Sequence, residues 1–323
     1  MGKRLAACIA LSLAACDRYP AGGVAPGAPP ASSPVAQGRQ LLESGQIDAA
    51  LAKLQEAPND PDSLYLQGLV WIKKAETAPL PTPPPSSGPR APQPRAPEFK
   101  NEELQALDCF EKAVAAQPAH ARAQTAIGDL LAPHAIRRQA LDQAASAGRA
   151  GKRTRGTEAA APAQAQGDYG PERVVEAYRR ALQADTSSTE PVEKLIQFAT
   201  QMGRVDDTDQ GLQELLKRDR ERPEPLIRYG DFLAQQRKEP ERGIEQYRQA
   251  LIWRPDDQAT KSKIAEIYIA QGIGFYAKSQ YAVAQARFEE ARKYTSDPRS
   301  PEALKIQDYM NKLNAIRNQP AAR

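Results

Sequence analysis

The sequence predicts an all-α array of helix pairs, and three observations predict it. A degenerate spacing recurs: a small residue, an aromatic four positions later, and an alanine three after that. Ala106-Phe110-Ala113 is followed by Pro118, and Gly243-Tyr247-Ala250 by Pro255 with the same gaps; Ala284-Phe288-Ala291 and Val174-Tyr178-Ala181 carry the core of the pattern without the proline. Aromatics make up only 6% of residues while alanine is abundant, a composition suited to helices that approach one another closely. Near the C-terminus, Ala303, Ile306, Met310, Leu313 and Ile316 fall on one stripe, which reads as an amphipathic helix able to cover a last apolar edge.

The chain opens with Lys3 and Arg4 before the apolar stretch Leu5–Leu13. About nine apolar residues are too few to span a membrane, which takes roughly 20, and match the core of a signal peptide. The segment ends Leu13-Ala14-Ala15-Cys16, which resembles the bacterial lipobox. That resemblance implies removal of residues 1–15 and a diacylglycerol on the Cys16 thiol. Leu5-Ala6-Ala7-Cys8 has the same letters but no apolar core before it. Asp17 resembles the inner-membrane retention signal of enteric bacteria, a rule that varies among bacteria. The expected location is the bacterial cell envelope, lipid-anchored and facing the periplasm, with inner or outer membrane left open. An ordinary secretory cleavage, or a cytosolic protein with an apolar start, is the alternative.

Residues 16–35 follow as lipidated cysteine and linker. From 19 to 35 the chain is rich in Pro, Ala, Gly and Ser without hydrophobic periodicity. Such composition cannot offset the entropy of folding and predicts a tether reaching roughly 50 Å. The formal charge of +4 falls to about +2 once Lys3 and Arg4 are removed, too little to imply a nucleic-acid partner. Of three cysteines, Cys8 would leave with the signal and Cys16 would be acylated. Cys109 is then a lone core or groove residue, and no intrachain disulfide is possible.

The repeated spacing resembles the tetratricopeptide repeat (TPR), a helix-turn-helix unit of about 34 residues. The resemblance implies a solenoid of about six helix pairs over residues 36–298, with a closing helix and tail at 299–323. The first pair lies at 36–57, with Gly38, Gly45 and Ala50-x-x-x-Leu54-x-x-Ala57. The next first helix runs from about Asp62 to Glu76 with Leu64, Gly68 and Trp71, yet its partner pattern resumes only at Ala106. Residues 77–97 between them hold nine prolines; proline clashes with a helix interior, so this insert must loop out. The third unit begins near Ala121 to Ala132 and resumes at Pro171, after a basic, Ala-rich insert at 133–168. Both inserts read as disordered, apart from a short helix around Ala135 to Ala145. Leu195, Ala199, Gly203, Leu212 and Leu215 mark the fourth unit; Tyr229-Gly230 and Gly243-Tyr247-Ala250 mark the fifth. In the sixth, Ala265 to Ala284 is 19 residues where the repeat expects about 12. The excess of seven is nearly two helical turns, so a first helix lengthened to about Lys278 keeps its apolar face in phase.

Residues for chemistry are sparse. His-Glu-x-x-His, a Gly-x-x-x-x-Gly-Lys loop and a Gly-x-Ser-x-Gly elbow are all absent from the sequence. The two histidines, His120 and His134, have no ligand-spaced partners and read as ordinary surface or loop residues. No enzyme activity, metal or cofactor is expected. In the TPR family the residue after the small position of each first helix lines an inner groove. Carried over, these are Leu69, Asp129, Gln197, Asp231 and Glu266, with Tyr65, Thr125, Glu193, Ile227 and Ser262 one turn earlier. The set is acid-rich and lacks the Lys-x-x-x-Asn or Lys-x-x-x-Arg pairs of carboxylate-gripping cochaperones. It points to a basic or polar peptide, with Asp231 and Glu266 as its strongest contacts, unless those acids are simply solvated. The resemblance implies a non-catalytic adaptor for a protein or peptide partner in an envelope assembly, secretion or pilus machine. A polysaccharide-export scaffold is a rival, although only Tyr65 among the groove positions could stack on a sugar. A cytosolic cochaperone or regulator is another, if the N-terminus is not processed. Oligomeric state is open.

Overall fold

The computed structural model describes residues 33–78, 99–150, 169–219 and 221–318. Among these the chain forms thirteen helices: α1 (Pro34–Glu43), α2 (Ile47–Leu54), α3 (Pro61–Thr77), α4 (Asn101–Ala116), α5 (Ala121–Ala150), α6 (Pro171–Ala184), α7 (Glu190–Gln201), α8 (Val205–Arg218), α9 (Pro223–Gln235), α10 (Pro240–Trp253), α11 (Gln258–Ala277), α12 (Tyr281–Arg292) and α13 (Pro301–Arg317). They pack as six consecutive pairs, from α1 with α2 to α11 with α12, and α13 lies against α11 and α12.

Local chemistry sets where the helices start. Pro34, Pro61 and Pro301 sit in first turns, where a missing amide hydrogen is harmless. Ser33, Asp60 and Ser300 cap those same helices by accepting backbone hydrogen bonds at 3.2, 2.8 and 3.1 Å. The array thus begins at Pro34, two residues before the predicted boundary. The turns at Gly45 and Gly203 carry φ of +77° and +68°, a region that disfavours residues with a Cβ.

Each pair is held by one close approach. A large side chain on the second helix lies over a glycine on the first: Leu54 over Gly38, Phe110 over Gly68, Tyr178 over Gly128, Tyr247 over Gly230 and Phe288 over Gly272. A Cβ at Gly128 would stand 2.5 Å from Tyr178, and one at Gly230 would stand 2.6 Å from Tyr247. The fourth pair inverts the arrangement, with Ile196 on α7 and Gly211 on α8, where a Cβ would come within 2.7 Å of Ile196. Volume across the interface is conserved either way, which is what close-packed helices require. The large side chains are almost wholly buried. α13 closes the end through buried Ile306 and Leu313, while Met310 and Tyr309 are partly covered and Tyr309 stacks on Phe288 at 5.2 Å.

Two sequence expectations change. The third first helix does not stop at Ala132: α5 continues through Pro133 to Ala150. Tertiary packing outweighs the proline, because His134 and Ala135 are buried beyond it and the Gln139 side chain donates to the Met202 carbonyl at 3.3 Å. In the sixth pair the small residue opposite Phe288 is Gly272, not Ala265. Gly272 to Ala284 is the expected 12 residues, so the seven extra residues lie on the N-terminal side of the pairing point. α4 begins at Asn101, where the Lys100 amide donates to Glu103 at 2.7 Å. The Lys100 ammonium also donates to the carbonyls of Ala75 and Ala78, at 2.5 and 2.9 Å, closing the end of α3. Residues 79–98 and 151–168, which hold most of the two expected inserts, lie outside the described residues, as do Cys16, the linker up to residue 32 and the tail from residue 319.

Two glycines on first helices separate the packing effect from helix propensity. Gly230→Ala is expected to lower unfolding free energy by about 1–3 kcal/mol through overpacking against Tyr247. Gly274→Ala, which meets open space, is expected to raise it by about 0.5–1 kcal/mol. Urea unfolding of both variants checks the pair, and equal effects would remove close approach as the organising contact.

Candidate functional site

The glycine contacts place two phenols so that each hydroxyl reaches the carboxylate one residue further along the first helix. Tyr178 donates to Asp129 at 2.9 Å, and Tyr247 donates to Asp231 at 2.7 Å. A lysine from the next first helix then closes each group. Lys194 on α7 bonds Asp129 at 2.5 Å, and Lys263 on α11 bonds both oxygens of Asp231 at 2.6 Å. Each unit is a strut of carboxylate, phenol and ammonium across three helices. Burial, together with the adjacent aspartate, pushes both phenols well above their ordinary range, so they remain donors at any working pH. Burial works against the Lys194 ammonium, yet Asp129 and Glu190 at 2.5 and 2.8 Å outweigh it and raise its pKa. Burial also pushes the Asp129 carboxyl upward. The rise at Lys194 is the one that reports the pairing, since two carboxylates touch its ammonium.

The fourth pair has no strut. Gln197 stands in the aspartate position, Gly211 and Leu212 stand where the tyrosine would be, and Ile196 replaces the glycine. The cation is still present as Arg228, two residues before Gly230 as Lys263 is two before Ala265. Lacking an acceptor at 197, it turns to Glu193, at 2.7 and 2.8 Å. A shallow cleft of about 220 Å³ lies here between α7, α8 and α9.

The remaining sequence-predicted positions are dispersed along the same first-helix face. Tyr65 is half-buried between Phe110 and His120, at 6.0 and 5.4 Å, with Arg122, Asp129, Glu190 and Lys194 close enough to act on its hydroxyl electrostatically. Burial, first among these influences, raises its pKa. Leu69 and Ile227 are partly buried against the core, and Thr125 is buried with its hydroxyl donating to the Ala121 carbonyl at 2.9 Å. Ser262 is half-buried, while Gln197 and Glu266 are exposed. Asp129, Glu193 and Asp231 are each ion-paired, so the face is charge-compensated rather than acid-rich. With Gly272 as the pairing residue, Glu266 no longer follows the small position of its helix, and Ile273 takes that place. The lysines and Arg228 were missed because an inter-helix partner leaves no local spacing to read.

The histidines are not surface residues. His120 is buried at the start of α5, where its Nδ1 accepts from the Ala123 amide at 3.1 Å and its Nε2 lies 3.4 Å from Asp62. His134 is buried with its Nε2 3.5 Å from Glu103, its ring stacked on Phe99 at 3.8 Å, and Nδ1 without a hydrogen-bond partner among the described residues. Phe99 also meets Tyr169 at 4.8 Å, so the two points where the chain re-enters the array after residues 98 and 168 meet each other beside His134. The bond from His120 holds the Asp62 carboxyl below its usual range, ahead of an opposing contribution from burial. At Glu103 burial pushes up, but the bonds from His134 and the Lys100 amide outweigh it and the carboxyl lies low. Cys109 is buried in α4, its thiol pushed up to about 11 by burial. Among the described residues there is no group of three or more His, Cys, Asp or Glu able to hold a metal, and no helix long and apolar enough to cross a membrane.

No protein-family pattern matches the chain, and no curated protein matches it in sequence. Solved structures do match in fold. A chain of the Naa15/Naa10 complex bound to HypK-THB superposes with a TM-score of 0.53 at 11% identity, over 87% of this chain and 34% of that one. The fold is a TPR-type solenoid. PilF of Pseudomonas aeruginosa aligns over 85% of this chain and 95% of its own at 14% identity and a TM-score of 0.37. YrrB, a TPR protein with an unusual peptide-binding site, aligns over 72% and 90% at 16% identity and a TM-score of 0.36. At such identities the likeness is one of fold alone.

Removing a strut hydroxyl tests what the struts contribute. Tyr178→Phe and Tyr247→Phe keep the ring over the glycine and lose only a bond to a carboxylate, so each is expected to destabilise by about 1.5–3 kcal/mol. Urea midpoints unchanged in both would rule out an energetic role for the phenols. A second test uses acidity. The depressed folded pKa of Glu103 gives stability that is complete above its unfolded value, about 4.3, and is lost as pH falls through the folded value. The gap in Tm between the parent and Glu103→Gln should therefore be present at pH 7 and shrink towards pH 3, and a gap constant with pH would contradict it.

Proposed function

We propose that the chain is a non-catalytic scaffold that holds a polypeptide partner along the face of its first helices, tethered to a bacterial envelope membrane through lipid on Cys16. The observation that carries the first half is the continuity of that face. Tyr65 on α3, Asp129 on α5, Lys194 and Glu193 on α7, Arg228 and Asp231 on α9 and Lys263 on α11 form one charge-compensated surface bridging five successive first helices. A helical array with such a surface suits an extended chain of mixed polarity better than a highly charged one, because its own charges are already paired. The second half rests on the Leu13-Ala14-Ala15-Cys16 sequence. On this reading the partner belongs to an envelope assembly, secretion or pilus machine.

Both halves can be checked in one strain set. A benzophenone amino acid at position 197 or 266, both exposed on first helices, is expected to cross-link the same polypeptide in native membranes. The same probe at position 245, exposed on the second helix α10, is expected not to. Cys16→Ser is expected to move the protein out of the membrane fraction. Equal cross-linking from all three positions would remove the face as the binding surface, and membrane association surviving Cys16→Ser would remove the lipid tether.

A further inference from the structure

We propose that the cleft between α7 and α9 is an anchor site for one uncharged aromatic side chain, that of tyrosine best of all, carried by a bound polypeptide. The proposal rests on the reading that the first-helix face holds a polypeptide, and it names what that polypeptide must present.

The cleft coincides with the missing strut. In the third and fifth pairs, a phenol from within the chain fills the space beside the first helix and joins a carboxylate to a cation. In the fourth pair the phenol is absent, the carboxylate is the amide Gln197, and the cation Arg228 remains. Ile196, Leu212 and Phe232 line the cleft with apolar surface, while Thr200, Arg228 and Gln235 form polar lining. At about 220 Å³ it is smaller than the roughly 300–1,000 Å³ of pockets that hold whole small molecules. It has room for a side chain anchored by the chain that carries it.

Charge selects the kind of side chain. The two charged lining residues are satisfied from elsewhere, Arg228 by Glu193 and Asp231 by Lys263 and Tyr247. A charged anchor would enter without an available counter-charge, an unfavourable burial, whereas a neutral ring would not. Gln197, Thr200 and Gln235 make no side-chain hydrogen bonds among the described residues. An amide can both accept from a phenol and donate to a backbone carbonyl, so Gln235 in the cleft lining suits a tyrosine hydroxyl and Thr200 suits the peptide backbone. The incoming ring would lie against Ile196, Leu212 and Phe232 rather than over a glycine, since Ile196 already fills that place. Buried aromatic anchors of this kind dominate the energetics of polypeptide recognition.

The test selects random heptapeptides displayed on phage against the immobilised full-length protein. The expected result is a set of peptides with tyrosine or phenylalanine at one fixed position, whose replacement by alanine weakens binding at least about tenfold. Thr200→Trp, which fills the cleft from its exposed edge, is expected to weaken the same peptides about tenfold, as is Gln235→Trp from the α9 side. Glu245→Trp on the outer face is expected to leave them unchanged. Peptides that compete with the cross-link from position 266 yet carry no aromatic requirement, or ignore both filling variants, would overturn the anchor and leave the face standing. Selected peptides with an obligatory charged anchor would overturn it too. Failure to select any peptide would overturn the anchor and the face together.

Discussion

Helix axes can approach closely only where a side chain is missing, and in this protein the missing side chain is a glycine facing a ring, a leucine or an isoleucine. The contact is steric before it is anything else: a methyl group at Gly230 has no place to go while Tyr247 is present. Each strut on the first-helix face inherits its geometry from that contact. The ring must lie flat over the glycine for its hydroxyl to reach the neighbouring aspartate, and the aspartate must be held for the lysine of the following helix to find it. Close packing thus acts as the jig, and the hydrogen bonds are assembled on it.

The joints of the stack consequently differ in kind. Between the third and fourth pairs and between the fifth and sixth, coupling runs through a strut that includes a buried phenol. The second pair has Leu69 and Phe110 at the matching positions and relies on apolar contact. Between the fourth and fifth pairs the polar link on the first-helix side, among the described residues, is the half-exposed Arg228–Glu193 pair, and exposed pairs contribute little. That joint is held from the other side, where Asp209 accepts from Tyr229 at 3.0 Å and from Arg237 at 2.7 Å. Arg218 on α8 instead reaches back to the third pair, bonding the carbonyls of Leu182, Asp185 and Ser188. Because a solenoid's stability is a sum over neighbouring units, these unequal joints make it uneven along its length.

How much of this could be read from the chain depends on how far apart the interacting residues lie. The six pairs and the closing helix were legible because small, large and small residues recur within one turn or two of a single helix. The position of Gly272 was not, since Ala265 and Gly272 are seven residues apart and therefore on the same face, so periodicity alone cannot choose between them. The continuation of α5 past Ala132 is not legible, because the local preference of Pro133 is against it and only the burial of His134 and Ala135 overrules that preference. The groove aspartates were located by register, but their lysines were not. Lys194 stands 65 residues from Asp129, and no spacing rule connects them. The burial of both histidines is not legible for the same reason, as the carboxylates that receive them come from other helices.

The Lys100 side chain has a consequence for what this scaffold can carry. By bonding the last carbonyls of α3, it brings the residues flanking 79–98 together before anything in that stretch is considered. The array does not measure the length of chain between two such fixed posts, and doubling a flexible connection between them adds only about 0.6 kcal/mol of closure entropy. This position is therefore a socket. A second folded body with adjacent termini could be grafted between Ala78 and Phe99 with the six pairs keeping their register, which makes this point of the solenoid suited to gaining new cargo without redesign of the stack.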